Sequence, residues 1–108
     1  MGDRDKVLGG KTVEIQTGCG ALYVTINFKD GKPFEIFARL GKAGGCAMAQ
    51  MEAIARISSG WLQGGLSREK LIKALSGICC NNPIGFGEDR VLSCADAIGK
   101  VLLKACGE

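Results

Sequence analysis

Apolar and polar residues are spaced differently in the two halves of the chain. Val13 and Ile15 alternate with polar neighbours from Thr12 to Thr17, which is the period of a half-buried strand. Gly18-Cys19-Gly20 interrupts that run. Leu22, Val24, Ile26 and Phe28 then alternate with Tyr23, Thr25 and Asn27, predicting a second strand. Asp30-Gly31 in the turn Lys29 to Lys32 suits the positive φ angles of a tight hairpin. Phe34, Ile36, Ala38 and Leu40 carry the alternation onto a third strand, and Phe37 marks the opposite face. The first half therefore reads as a three-stranded antiparallel meander.

Beyond Gly41-Lys42-Ala43-Gly44-Gly45 the period becomes helical. Ala47, Met51, Ile54, Ser58 and Trp61 fall near one face of a helix that starts at Cys46 and stops at Gly64-Gly65. Ser67 is placed to cap a short helix running to about Leu75. Gly77 to Arg90, with Asn81-Asn82-Pro83 and two further glycines, reads as a loop. Ser93 opens the last helix, where Ser93-x-x-Asp96 has capping-box spacing with Asp in place of Glu. Ala97, Ile98, Val101 and Leu102 supply its apolar face. The expected fold class is α+β, with one long and two shorter helices packed on one face of the sheet. No repeat or linker divides residues 1–108, so a single domain is expected.

Composition narrows the functional classes. A chain of 108 residues with 46% hydrophobic content supports one globular core. A net charge of +3, spread over scattered Lys and Arg and joined by few aromatics, does not make a nucleic-acid surface. No apolar run spans a bilayer, and Met1 to Lys6 lacks the apolar core of a signal peptide. Lys6 stands where a myristoylation signal needs Ser or Thr. The expectation is a cytoplasmic protein without nucleic-acid or membrane partners, its six cysteines reduced.

Metal ligation is the commonest use of several cysteines in a reducing compartment. The absence of histidine excludes Cys-His and Ser-His catalysis and every mixed Cys/His zinc site. Four cysteines stand at element boundaries. Cys19 lies between two strands among glycines, Cys46 at a helix start, Cys80 in the loop after the short helix, and Cys94 just inside the last helix. Glycine neighbours let the backbone approach an ion, and helix N-termini favour thiolate over thiol. These four are the candidate metal ligands, with Cys79 the alternative to Cys80. Four unrelated small hydrophobes are the bland alternative, and Cys106 near the C-terminus reads as incidental.

Other features carry weaker signals. Gly41, Lys42, Gly44 and Gly45 join a strand to a helix and form a candidate anion-binding turn, without the ending of a P-loop. Glu52, Glu69 and Asp89 read as solvated charges, Asp96 as a helix-terminus charge, and Met48 and Met51 as core packing.

Several blocks in order resemble the TSCPD domain, named for a Thr-Ser-Cys-Pro-Asp motif. They are Thr17-Gly18-Cys19-Gly20, Leu22-Tyr23-Val24-Thr25-Ile26-Asn27, Lys32-Pro33-Phe34-Glu35-Ile36-Phe37 and Gly41-Lys42-Ala43-Gly44-Gly45-Cys46. Gly77-Ile78 with Cys80, and Val91-Leu92-Ser93-Cys94 with Asp96-Ala97-Ile98, follow; Val7-Leu8-Gly10-Thr12 resembles the lead-in. The name motif reads Leu92-Ser93-Cys94-Ala95-Asp96 here, so its Thr and Pro are replaced, and Cys79 stands where the family often has a charged residue.

That domain occurs at the C-terminal end of adenosylcobalamin-dependent ribonucleotide reductases and as small separate proteins. The resemblance implies that Cys19, Cys46, Cys80 and Cys94 ligate one ion, most simply a buried structural zinc. It implies an accessory role beside a catalytic ribonucleotide reductase chain, with adenosylcobalamin reached only through that partner. A homo-oligomer is the other assembly considered. The order of meander, glycine-cysteine, long helix and cysteine before a final helix is also similar to iron–sulfur scaffold proteins. An iron–sulfur cluster is therefore the alternative cofactor. A thiol redox protein pairing Cys79 or Cys80 with Cys94 is the third reading, and it needs an exposed site.

Overall fold

A computed structural model describes residues 5–41, 45–80, 83–87 and 90–106. Strands β1 (Gly9–Thr17), β2 (Gly20–Lys29) and β3 (Lys32–Leu40) form one antiparallel sheet in the order β1-β2-β3. Helices α1 (Gly45–Gln63), α2 (Arg68–Leu75) and α3 (Cys94–Cys106) follow. The α+β class and the meander expected from the alternation are both present.

The Asp30-Gly31 turn forms because both residues take positive φ, 54° and 76°, between paired Lys29 and Lys32. One feature of β3 departs from the alternation. Asn27 pairs with Glu35 but Phe28 pairs with Pro33, so Phe34 is the extra residue of a bulge. Pro33 therefore takes the buried place expected for Phe34. Phe34 lies half-buried with the Lys29 ammonium 5.2 Å from its ring centre. Pro33 is tolerated because β3 is an edge strand.

The buried face of the sheet presents Leu22, Val24, Ile26, Ile36, Ala38 and Leu40. Helix α1 covers β3, and α3 lies against β1 and β2 with α2 beside it. Met51, Ala55, Ser58 and Leu62 are the buried stripe of α1, with Ala47, Ile54 and Trp61 at its margins. Ser59 of α1 blunts the exposed edge of β3. Its Oγ accepts the Ile36 N–H at 2.9 Å and donates to the Ile36 carbonyl at 3.1 Å.

α1 ends where Gly65 adopts φ 76°, letting its N–H reach the Leu62 carbonyl and the Leu66 N–H reach that of Trp61. Ser67 caps α2 as expected, its Oγ accepting the Lys70 N–H at 3.2 Å. Residues 93–99 at the head of α3 are all buried, enclosed by the sheet, α2 and the loop before it. Gly99 permits that approach, since a Cβ there would meet Ser76 Oγ at 2.9 Å and Leu75 Cβ at 3.3 Å. Among the described residues no helix is long and apolar enough to cross a membrane.

Candidate metal centre

The hub of the cysteine-bearing end is Thr17, the last residue of β1, which is 5% exposed. Its hydroxyl donates to the Gly20 carbonyl at 2.9 Å and accepts the Cys19 N–H at 3.1 Å. These two bonds shape the Gly18-Cys19 turn and present Cys19 to solvent. The same oxygen accepts the thiol of Cys94 at 3.6 Å, from the first turn of α3. One side chain thus joins the β1–β2 turn to the last helix.

Cys94 is buried, and burial pushes its thiol up. The Thr17 hydroxyl opposes that shift, while the neighbouring Cys19 and Cys80 thiols add to it. Two of the other candidate ligands, Cys19 from a turn and Cys80 from a loop, therefore act on Cys94 at the head of a helix. Cys79 is exposed, and its thiol donates to the Cys80 carbonyl at 3.2 Å.

Cys46 is exposed on the first turn of α1. The chain leading to it leaves β3 at Gly41, whose N–H bonds the Ala21 carbonyl at 2.8 Å, two residues from Cys19. Among the described residues, no group of three or more His, Cys, Asp or Glu side chains stands in an arrangement that holds a metal ion. The burial expected of a structural site is not found for Cys19 and Cys46. In donor chemistry the residues do suit a soft ion, since neighbouring thiols are ligands for zinc or for iron–sulfur clusters.

A layer of bonds behind the thiols ties Gly77 to Cys80 alongside Leu92 to Asp96. The Cys80 N–H donates to the Leu92 carbonyl at 3.0 Å. Ser93 Oγ donates to the Ile78 carbonyl at 2.6 Å and accepts the Asp96 N–H at 3.1 Å. Asp96, 1% exposed, accepts the Gly77 N–H on Oδ1 at 2.9 Å and the Leu92 N–H on Oδ2 at 3.0 Å. Lys100 Nζ lies 3.3 Å from Oδ2. Burial alone would raise this carboxyl, but the two N–H groups and the Lys100 ammonium bring it below its ordinary value.

The capping box expected at Ser93-x-x-Asp96 is therefore only half made. Ser93 receives the Asp96 N–H, but the Asp96 carboxylate reaches past Ser93 to the backbone of Leu92 and Gly77. Asp96 stands in the first turn of α3 as the expected helix-terminus charge, and it is also a buried brace. The sequence holds a signal for this, a carboxylate set among Cys94, Ala95, Ala97 and Ile98. Thr17 likewise stands two residues before Cys19 and ahead of a glycine, the spacing of a hydroxyl-stabilised turn.

Of the candidate anion turn, Lys42 and Gly44 lie outside the described residues, as does Asp89. Gly41 lines an open cavity of about 480 Å³ with Tyr23, Arg39, Leu40 and Met48. Glu52 and Glu69 are solvated as expected, paired with Arg56 at 3.2 Å and Arg68 at 3.5 Å. Met51 is core, and Met48 packs at its edge.

Compared with known protein families, the chain matches the family model described as the TSCPD domain over residues 3–106, nearly its whole length. No curated protein and no solved structure matches it.

Proposed function

The chain belongs to the TSCPD domain family, and from that premise we propose that it is a metal-binding accessory domain whose thiolates hold one zinc ion. The ligands on this reading are Cys19, Cys46, Cys80 and Cys94. The observation that carries it is geometric: the Thr17 hydroxyl is bonded to both the Cys19 N–H and the Cys94 thiol, while the Cys80 N–H is bonded to Leu92, two residues before Cys94. Cys46, at the head of α1, supplies the fourth thiolate.

Zinc held by four thiolates has no open position for substrate, so the ion would act as a staple between the sheet and the helix ends. The chain's own part is to supply thiols and orient them, with Cys46 and Cys94 carried at the heads of α1 and α3. The domain would work beside a catalytic ribonucleotide reductase chain, with any adenosylcobalamin bound by that partner. Resemblance to the reductase-associated members of the family supports this last step.

A second reading is favoured by the exposure of Cys19 and Cys46. An open thiol site suits an iron–sulfur cluster that is carried or handed on. Elemental analysis with a visible spectrum, on protein purified anaerobically, separates the two. About one zinc per chain and no visible band supports the staple. Iron with a broad visible absorption replaces it with the cluster reading. Neither metal contradicts both.

A further inference from the structure

We propose that Asp96 is a positioning residue for the thiol site, acting through the backbone to hold Cys80 beside Cys94. This rests on the metal-binding reading for its function, but its geometry stands without a metal.

Gly77 and Leu92 lie 15 residues apart in sequence, yet both point their N–H groups at one carboxylate. Gly77 begins the segment that carries Cys80, and Leu92 begins the one that carries Cys94. Gly77 has φ 84°, a conformation other residues adopt only with strain, so glycine is what lets the chain turn there toward Asp96. Ser93 fastens the next residue, Ile78, and Leu92 accepts the N–H of Cys80 itself. The bonds of Gly77, Ile78 and Cys80 all run between the same two segments, while the Leu92 N–H fixes the Asp96 carboxylate within its own.

A carboxylate is the group this position requires. Its two oxygens accept from two backbone donors and also face the Lys100 ammonium. Asn offers only one acceptor oxygen and would leave one of the two N–H groups without its partner. Ala would leave both. Cys80, free of its brace, would sample positions away from Cys94, and an ion would meet three well-placed thiols at best. Partners behind metal ligands typically contribute 10–100-fold to affinity.

The test compares wild type, Asp96→Asn and Asp96→Ala, with Ser59→Ala as a control that loosens the opposite edge of the sheet. Zinc affinity is measured by competition with a chromogenic chelator. Amide hydrogen exchange is measured on the metal-free chain. The expected result is zinc binding weakened about tenfold or more in Asp96→Ala, with Asn between it and wild type, and little change in Ser59→Ala. Exchange at the Cys80 amide should rise at least tenfold more in Asp96→Ala than that of Val24, which reports the global loss of stability alone.

Cys80 exchange that rises no more than that of Val24 in Asp96→Ala overturns the proposal whether or not the chain binds metal. So does an equal loss of zinc affinity in Ser59→Ala. If wild type binds neither zinc nor iron while Cys80 exchange rises as expected, the metal reading fails and the brace is upheld.

Discussion

The thiol of Cys94 donates to the hydroxyl of Thr17 at 3.6 Å, closing a loop of 77 positions between the first strand and the last helix. That hydroxyl has one proton and gives it to Gly20, so its lone pairs are free for Cys19 N–H and Cys94. Thr17→Val keeps the shape and removes all three bonds. It should cost about 1–3 kcal/mol, because the Cys19 and Cys94 donors lose their partner in a part-buried setting. Thr17→Ser should recover most of that loss. Urea denaturation of the reduced chain measures both.

Asp96 gives the fold a defined acid sensitivity. Its carboxyl lies below its ordinary value in the folded chain. The stability this contributes is complete above about pH 4, where an unfolded Asp is ionised, and is lost as pH falls through the lower folded value. Asp96→Asn cannot titrate at this position. The stability gap between wild type and Asp96→Asn should therefore be widest near neutral pH and shrink below about pH 4. A gap that grows on acidification would mean that the carboxyl is not held ionised.

Ser59→Ala strips the cap from the β3 edge. Two hydrogen bonds to Ile36 are lost, worth about 1–2 kcal/mol together. The freed N–H and C=O then face solvent on an edge strand, so self-association should rise with concentration. Sedimentation velocity of variant and wild type reads this directly.

Gly65→Ala tests the stop signal of α1. The backbone there has φ 76°, and no atom lies within 4 Å of a Cβ. The cost is then conformational alone, about 1 kcal/mol. A lowered thermal midpoint without change in the circular-dichroism spectrum is the expected outcome.

The elements were legible where a local rule decides them. Asp30-Gly31 announces its turn because both residues tolerate positive φ, and Ser67 announces its helix by offering an oxygen to Lys70. Phe34 misleads because alternation has no mark for an inserted residue, and the bulge hands its buried place to Pro33. Helix α3 shows in its apolar face, but its capping pattern hides the reach of Asp96 to Gly77, a contact across 19 positions. The positions of Cys19, Cys46, Cys80 and Cys94 at element boundaries were legible. Which of Cys79 and Cys80 acts on Cys94 depended on how the loop is braced, and no spacing rule encodes that. Nor could spacing give the exposure of Cys19 and Cys46, which follows from the turn at Thr17 and the start of α1.

The domain's proposed role rests on Cys19, Cys46, Cys80 and Cys94 together ligating one ion. Alkylation of the reduced chain, mapped residue by residue with and without one equivalent of zinc, tests it most directly. Zinc should protect those four thiols together while Cys79 stays reactive. Unchanged reactivity at the four, or protection of Cys79 in place of Cys80, would contradict it.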